Sequence, residues 1–180
     1  PLETFFAKLV VELCPEASCG AAGAPAGGAQ GAGGLLGSIW SMCDHAGAFY
    51  YRNGQYAQAL RMYGQALDSA LAVWGPGHRN VAAACVNLGN VFLKQGKYAR
   101  ALELHQRALE IQIRVCGHDH PDVATSHLNI GVVHDSLGDF EKALFHYGKA
   151  QEVYVAVHGH NHLDVANSKY SMAEVHESQG

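Results

Sequence analysis

The chain lacks a basic surplus: 16 aspartates and glutamates outnumber 12 lysines and arginines, for a formal net charge of -4 over 180 residues. A nucleic-acid backbone or an anionic membrane selects for a basic footprint, so neither is expected as a main partner. Cysteines are few. Cys14, Cys19, Cys43, Cys85 and Cys116 include no Cys-x-x-Cys pair and form no dense framework. They read as reduced thiols in a cytoplasmic setting, with Cys43 and Cys85 acting as small apolar residues. No apolar run approaches the roughly 20 residues that span a bilayer. The opening stretch PLETFFAKLVVEL has no basic lead and is broken by Glu3 and Glu12, which argues against a signal peptide. It does not begin with methionine, and the chain is expected to be an excerpt of a longer one. Catalytic motifs are missing as well. The glycine-rich GGAQGAGG at 27–34 is not followed by the Gly-Lys-Ser/Thr of a phosphate loop, and no Gly-x-Ser-x-Gly elbow occurs. Acids such as Asp135 and Asp139 fall at a helix end and turn, where solvated carboxylates are the default. The expectation is a protein that is not an enzyme and takes no cofactor.

What the chain does have is a repeat. Gly54, Gly96, Gly138 and Gly180 recur at one spacing, as do Gly75, Gly117 and Gly159, and His78, His120 and His162. Val81-Ala82, Val123-Ala124 and Val165-Ala166 keep the same register, and so do Ala59, Ala101 and Ala143. The period is 42, read directly from positions 54, 96, 138 and 180. Each unit reads as two helices. Val81, Ala82, Cys85, Leu88, Gly89 and Phe92 form one apolar stripe at helical period, and Tyr98, Ala101, Leu102, His105, Ala108 and Leu109 form a second. Gly96 can end the first helix in the left-handed conformation. Pro121 suits a first helical turn, and Asp122 complements the positive end of the helix that follows. A glycine inside a helix costs roughly 1 kcal/mol against alanine. Gly89 and Gly131 are therefore expected to allow close approach of the paired helix, with Ala101 and Ala143 facing them. Single helix pairs cannot bury such stripes, whereas stacked neighbours can. With 48% apolar residues, the chain has enough material for that core.

The segment NLGNVFLKQGKYARALELHQRAL at 87–109 resembles a tetratricopeptide repeat. Leu88-Gly89, Phe92, Gly96, Tyr98, Ala101, His105 and Ala108 stand at its signature positions, with Ile130-Gly131, His134, Gly138, Phe140, Ala143, Tyr147 and Ala150 in the next unit. Ala46-Gly47, Tyr50, Gly54, Tyr56, Ala59, Tyr63 and Ala66 supply the preceding one. The usual period of this family is about 34 residues. The longer form here, with its G-x-x-H-x-x-V-A turn, is similar to that of kinesin light chains and of arrays attached to signalling NTPases. The resemblance implies an all-α right-handed superhelix of three helix pairs plus one extra helix. The units are expected at about 38–74, 80–116, 122–158 and, in part, 164–180, within an array spanning 35–180. Residues 1–13 read as an amphipathic helix on Leu2, Phe5, Phe6, Leu9, Val10 and Leu13. Residues 14–34, rich in Gly, Ala and Pro, read as a flexible linker.

The turns CGHDHPDVA (116–124) and HGHNHLDVA (158–166) pose the question of metal chemistry. Zinc needs three or four ligands about 2.0–2.1 Å away. One turn offers two imidazoles, and neighbouring turns stand about as far apart as packed helices, 8–10 Å. The first turn, GPGHRN, keeps only His78. The expected role of the repeated histidine is to tie the turn to nearby backbone, and no metal site is expected.

The resemblance also implies where a partner binds, because the first helix of each pair lines the hollow side in that family. The expected groove residues are Asp44, His45, Tyr51 and Arg52; Asn87, Asn90 and Lys94; Asn129 and Val132; and Asn167 and Tyr170. Asn87 and Asn129 match the second asparagine of the Asn-Asn-Leu-Ala motif of kinesin light chains, although here the motif reads VNLG and LNIG and the fourth unit carries Ser171. An amide that both donates and accepts can hold an extended peptide backbone. The implied function is non-catalytic recognition of a peptide or protein segment, as in the cargo-binding part of kinesin light chain. The alternative is a regulatory sensor array on a larger NTPase or enzyme. Arg52 and Lys94 are the groove cations visible in the sequence, against Asp44, Asp135, Glu174 and Glu177, so a neutral or basic ligand is expected.

Overall fold

The computed structural model describes residues 29–179, and from Gly33 onward these belong to one compact unit. Among the described residues seven helices follow one another: α1 Ala29–Arg52, α2 Tyr56–Trp74, α3 Arg79–Lys94, α4 Tyr98–Cys116, α5 Pro121–Ser136, α6 Phe140–His158 and α7 Leu163–Gln179. Among the described residues there is no strand. From α2 on, each helix packs against the next in the chain, the pattern of an all-α solenoid of stacked hairpins. None of the described helices is long and apolar enough to cross a membrane.

The amphipathic helix expected at 1–13 lies outside the described residues, as do residues 14–28 of the expected linker. The rest of that linker is corrected: residues 29–34 are the first turns of α1. Extending an existing helix adds a hydrogen bond per residue without a new nucleus. The Leu35–Trp40 stretch supplies that helix, and the glycines before it do not stop its backward growth.

Helix ends recur with the same chemistry. Gly96 and Gly117 sit at φ 71° and 83°, in the left-handed region where a Cβ would clash, and Gly54, Gly75, Gly138 and Gly159 repeat the two positions. After α3 the Gln95 and Gly96 amides return to carbonyls of the last turn, and Lys97 N–H reaches Phe92 O at 2.9 Å, so the exposed end of the helix is satisfied.

The core repeats too. Val81, Val123 and Val165 open the odd-numbered helices and Val91, Val133 and Val175 lie further along them, all at most 1% exposed. Each such burial contributes about 1.5–3 kcal/mol. Ala59, Ala101, Ala143, Ala66, Ala108 and Ala150 are fully buried at the seams.

Gly89 and Gly131 do admit a close neighbour, but not the expected one. The residues facing them are not the small Ala101 and Ala143 but rings. A Cβ on Gly89 would stand 2.7 Å from His105, one on Gly131 2.5 Å from Tyr147, and one on Gly47 2.6 Å from Tyr63. The bare Cα is the seat on which a buried ring of the paired helix rests. Ala101 and Ala143 lie one turn earlier and serve the same close approach.

Candidate functional site

The turn histidines have a definite job. His78 and His120 occupy the residue before α3 and α5 with extended backbone, and their Nδ1 atoms accept the N–H of Asn80 at 3.2 Å and of Asp122 at 3.1 Å. His162 does the same for Asp164 at 3.3 Å. Helix N-termini leave amide donors without intrahelical partners, and a side-chain acceptor just before the helix satisfies one of them. An imidazole with an unprotonated Nδ1 serves as asparagine or serine usually does. The expectation that this histidine ties the turn to backbone is what the geometry displays. His120→Ala should therefore cost about 0.5–2 kcal/mol in a urea unfolding experiment, and His120→Asn much less, since asparagine is itself a strong cap. Equal losses in the two variants would contradict this role.

Around two of these turns further donors collect. Cys116, His120 and Asp122 each bring one potential ligand atom within 4.8 Å of the others, and His158, His162 and Asp164 do likewise.

The residues expected to line the groove divide into three sets. Asp44 and Asn87 come together: Asn87 Nδ2 donates to Asp44 Oδ1 at 2.8 Å, linking α1 to α3. One period later the position of Asp44 is Val86, so half-buried Asn129 has no equivalent carboxylate there. Asn90 is also half-buried. A second set is partly absorbed into packing. Tyr51 lies against the Ala59, Tyr63, Leu88 and Val91 cluster with its ring 5.9 Å from Tyr56, and Val132 lies against Ala143, Tyr147 and Val175. The third set is exposed: His45, Arg52, Lys94, Asn167 and Tyr170. His45 Nδ1 turns back on its own helix, 2.6 Å from Ser41 O.

A cleft of about 370 Å³ opens beside Asn87. Ala83 and Val86 of α3 and Thr125 of α5 form part of its wall, with Arg79 and Asn80 at the start of α3. Trp40 of α1 and Gln112, Val115 and Cys116 of α4 complete it together with Asp122. Sequence reasoning missed Arg79, a third cation, because it stands at the helix start rather than on the periodic face. It missed Trp40, Gln112 and Val115 because inter-helix neighbours do not show in a single-helix pattern. Trp40 packs edge-to-face on Trp74 at 5.7 Å, and its buried indole Nε1 has no hydrogen-bond partner. Ser126 Oγ donates to Gln112 Oε1 at 2.5 Å, which fixes that amide from behind.

Charge is graded along the odd-numbered helices. Arg52 and Lys94 stand at equivalent last-turn positions of α1 and α3, whereas the ends of α5 and α7 carry Asp135 and Glu177. Burial raises the pKa of Asp135, and the charge of Glu174 raises it further. Both acids also act on Tyr147, whose pKa goes up first through burial. Tyr170 hydrogen-bonds Glu174, which raises the phenol's pKa. The α5–α7 end is thus an acidic field near exposed aromatic surface.

This geometry can be set beside known proteins. The family model described as tetratricopeptide repeat matches residues 37–111 and again 81–154, more than half the chain. The chain belongs to the tetratricopeptide repeat family. No curated protein matches this tetratricopeptide repeat chain. Among solved structures it is similar to BtubC (BKLC) from P. vanneervenii, with a TM-score of 0.73 and 22% identity over 98% of this chain. The chain spans 65% of the length of that protein. It also resembles a kinesin-light-chain protein of Podosopora anserina with nearly identical TPR-like repeats (TM-score 0.68, 18% identity), covering 82% of this chain and 68% of that one. A third is the first TPR of Spaghetti (RPAP3) bound to the HSP90 peptide SRMEEVD, at TM-score 0.58 and 15% identity over 79% of this chain and 94% of that one. At these identities the likeness is one of fold.

Proposed function

We propose that this chain is a non-catalytic, cytoplasmic scaffold or adaptor that grips a peptide or extended protein segment along α1, α3, α5 and α7, resembling the cargo-binding region of kinesin light chain. The observation that carries the reading is Asn87. Its amide is held by Asp44 across the repeat boundary, at the wall of a cleft of about 370 Å³. A pre-oriented amide loses little entropy when it meets a peptide backbone, so its hydrogen bonds favour binding more than those of a free side chain. Asn129 continues the row one repeat on, and Asn90, Lys94 and Asn167 offer further polar contacts. Tyr170, 65% exposed, supplies an aromatic surface beside the acids.

Charge chooses among ligands. The SRMEEVD peptide held by the Spaghetti domain is acidic at its C-terminal end. Here Asp135, Glu174 and Glu177 oppose such a ligand at the α5–α7 end, while Arg52, Arg79 and Lys94 favour acid only at the α1–α3 end. A peptide that is neutral or basic overall, with any acid toward α1, fits this gradient. On a peptide array, neutral and lysine-containing sequences should bind better than acidic ones, and binding of the lysine-containing ones should weaken with salt. Asn87→Ala combined with Asn129→Ala should weaken binding by about 1–3 kcal/mol, the cost of leaving buried partners unpaired. Preference for acidic peptides, with the double variant binding normally, would reject the reading.

A further inference from the structure

We propose that the second and third inter-repeat turns are divalent-cation sites of the zinc class, built by Cys116, His120 and Asp122 and by His158, His162 and Asp164. Two imidazoles in a turn are too few for zinc, and the next turn stands too far away to add to them. The fold supplies the missing donor from elsewhere. Cys116 and His158 are the last residues of α4 and α6, four positions before the capping histidine, and the aspartate follows two positions after it. Helix end, turn and helix start thus converge as Cys-x-x-x-His-x-Asp and His-x-x-x-His-x-Asp.

The distances suit one ion. In the second site His162 Nδ1 lies 3.2 Å and His158 Nε2 4.0 Å from Asp164 Oδ2, and the two rings, stacked 4.2 Å apart, must splay for both in-plane lone pairs to meet one ion. In the first, His120 Nδ1 lies 3.6 Å from Asp122 Oδ2. Ligands at zinc-bond length around a tetrahedron stand about 3.3–3.6 Å from one another, so small side-chain adjustments close either site. Chemistry points the same way. When Nδ1 accepts the helix amide it presents a lone pair, and the nearby carboxylate oxygen is also an acceptor. The helix N–H already meets that lone pair, so the facing carboxylate is the acceptor left free for a cation. Thiolate, imidazole and carboxylate together suit a borderline cation such as zinc, with the fourth position left open. Ligation through Nδ1 takes the lone pair that caps the helix, so the ion substitutes for the cap. Cys116 and Asp122 also line the cleft, which places the first ion on its wall.

The molecule carries its own control. In the first turn the equivalent residues are Trp74, His78 and Asn80; the histidine caps in the same way, but the other two ligands are gone.

The test is a zinc chloride titration of chelator-stripped protein by calorimetry, with cobalt(II) as a spectroscopic stand-in. The wild type should bind two zinc ions per chain. His120→Asn and His162→Asn, which keep a capping side chain, should each weaken one site by at least about tenfold, and their combination should remove both. His78→Asn should bind as the wild type does. Cobalt should produce a thiolate charge-transfer band that Cys116→Ala abolishes. Circular dichroism of the metal-free variants establishes that each remains helical. No binding in the wild type, undiminished binding in the double variant, or equal loss in His78→Asn would overturn the proposal.

Discussion

Replacing Gly131 by alanine is expected to destabilise the protein by about 1–3 kcal/mol, although alanine is the better helix former. The added Cβ would stand 2.5 Å from Tyr147, a ring that is 1% exposed and has no room to withdraw. The neighbouring core, with Ala143 and Val175 fully buried, closes the routes by which it could shift. Gly89→Ala should behave similarly against His105, and Gly47→Ala against Tyr63, at 2.7 Å and 2.6 Å. Gly148 and Gly64 provide the contrast. Both lie inside helices, α6 and α2, and a Cβ at either meets nothing within 4 Å. There propensity acts alone, and alanine should stabilise by about 0.4–1 kcal/mol. Urea unfolding of the variants decides the matter through the sign. Loss at Gly131 and gain at Gly148 follow from ring-on-glycine packing; the same sign at both would contradict it.

The second large effect is loss of stability in mild acid, with His105 as its main source. His105 is fully buried, neither ring nitrogen has a hydrogen-bond partner, and burial pushes its pKa down to about 4. The unfolded chain takes up that proton near pH 6.5 while the folded one refuses it until about 4. Between these values the unfolded state binds more protons, so stability rises with pH across this window. The contribution is complete above about 6.5 and is lost as pH falls toward 4. For His105 it amounts to at most about 3 kcal/mol. His146 adds to it. Its pKa is lowered to about 4, by burial first and then by His127 and His134. His127, lowered by burial, Lys149 and His118, is its direct partner, with the two Nδ1 atoms 3.0 Å apart. Two protons cannot both be accommodated across that gap.

His105→Tyr offers a clean test, because the equivalent positions in the flanking repeats are Tyr63 and Tyr147, each seated on a glycine. The variant removes two unsatisfied buried nitrogens and is expected to gain about 1–3 kcal/mol near neutral pH. The gain should widen as pH falls toward 5. A stability-versus-pH curve parallel to that of the wild type would show that His105 is not the source.

The repeat was legible because one register of small and apolar residues constrains a hairpin at several points at once. Gly54 and Gly75 mark where helices stop, Val81 and Val91 mark which face is buried, and each recurs. Packing partners across helices were less legible. A glycine declares that something comes close, but not what, and the rings of His105 and Tyr147 took the place assigned to alanines. Residues 29–34 looked like linker because composition describes each residue alone, whereas helix growth depends on the neighbour already formed. Tyr51 and Val132 sit on the expected face, yet each also packs against a core cluster, which reflects how the helix is rotated rather than its pattern. The bond between Asn87 and Asp44 had a faint signal, since the two lie one residue off the period. Arg79 and Trp40 had none.

Ligand held along the odd-numbered helices should leave its mark in hydrogen–deuterium exchange followed by mass spectrometry. The full chain would be compared with and without the strongest peptide from the array. Added protection should fall on α3 and α5, centred on the segments around Asn87 and Asn129, and should vanish in the Asn87→Ala, Asn129→Ala variant. Protection confined to the outward faces of α4 and α6, or unchanged in that variant, would contradict the claim.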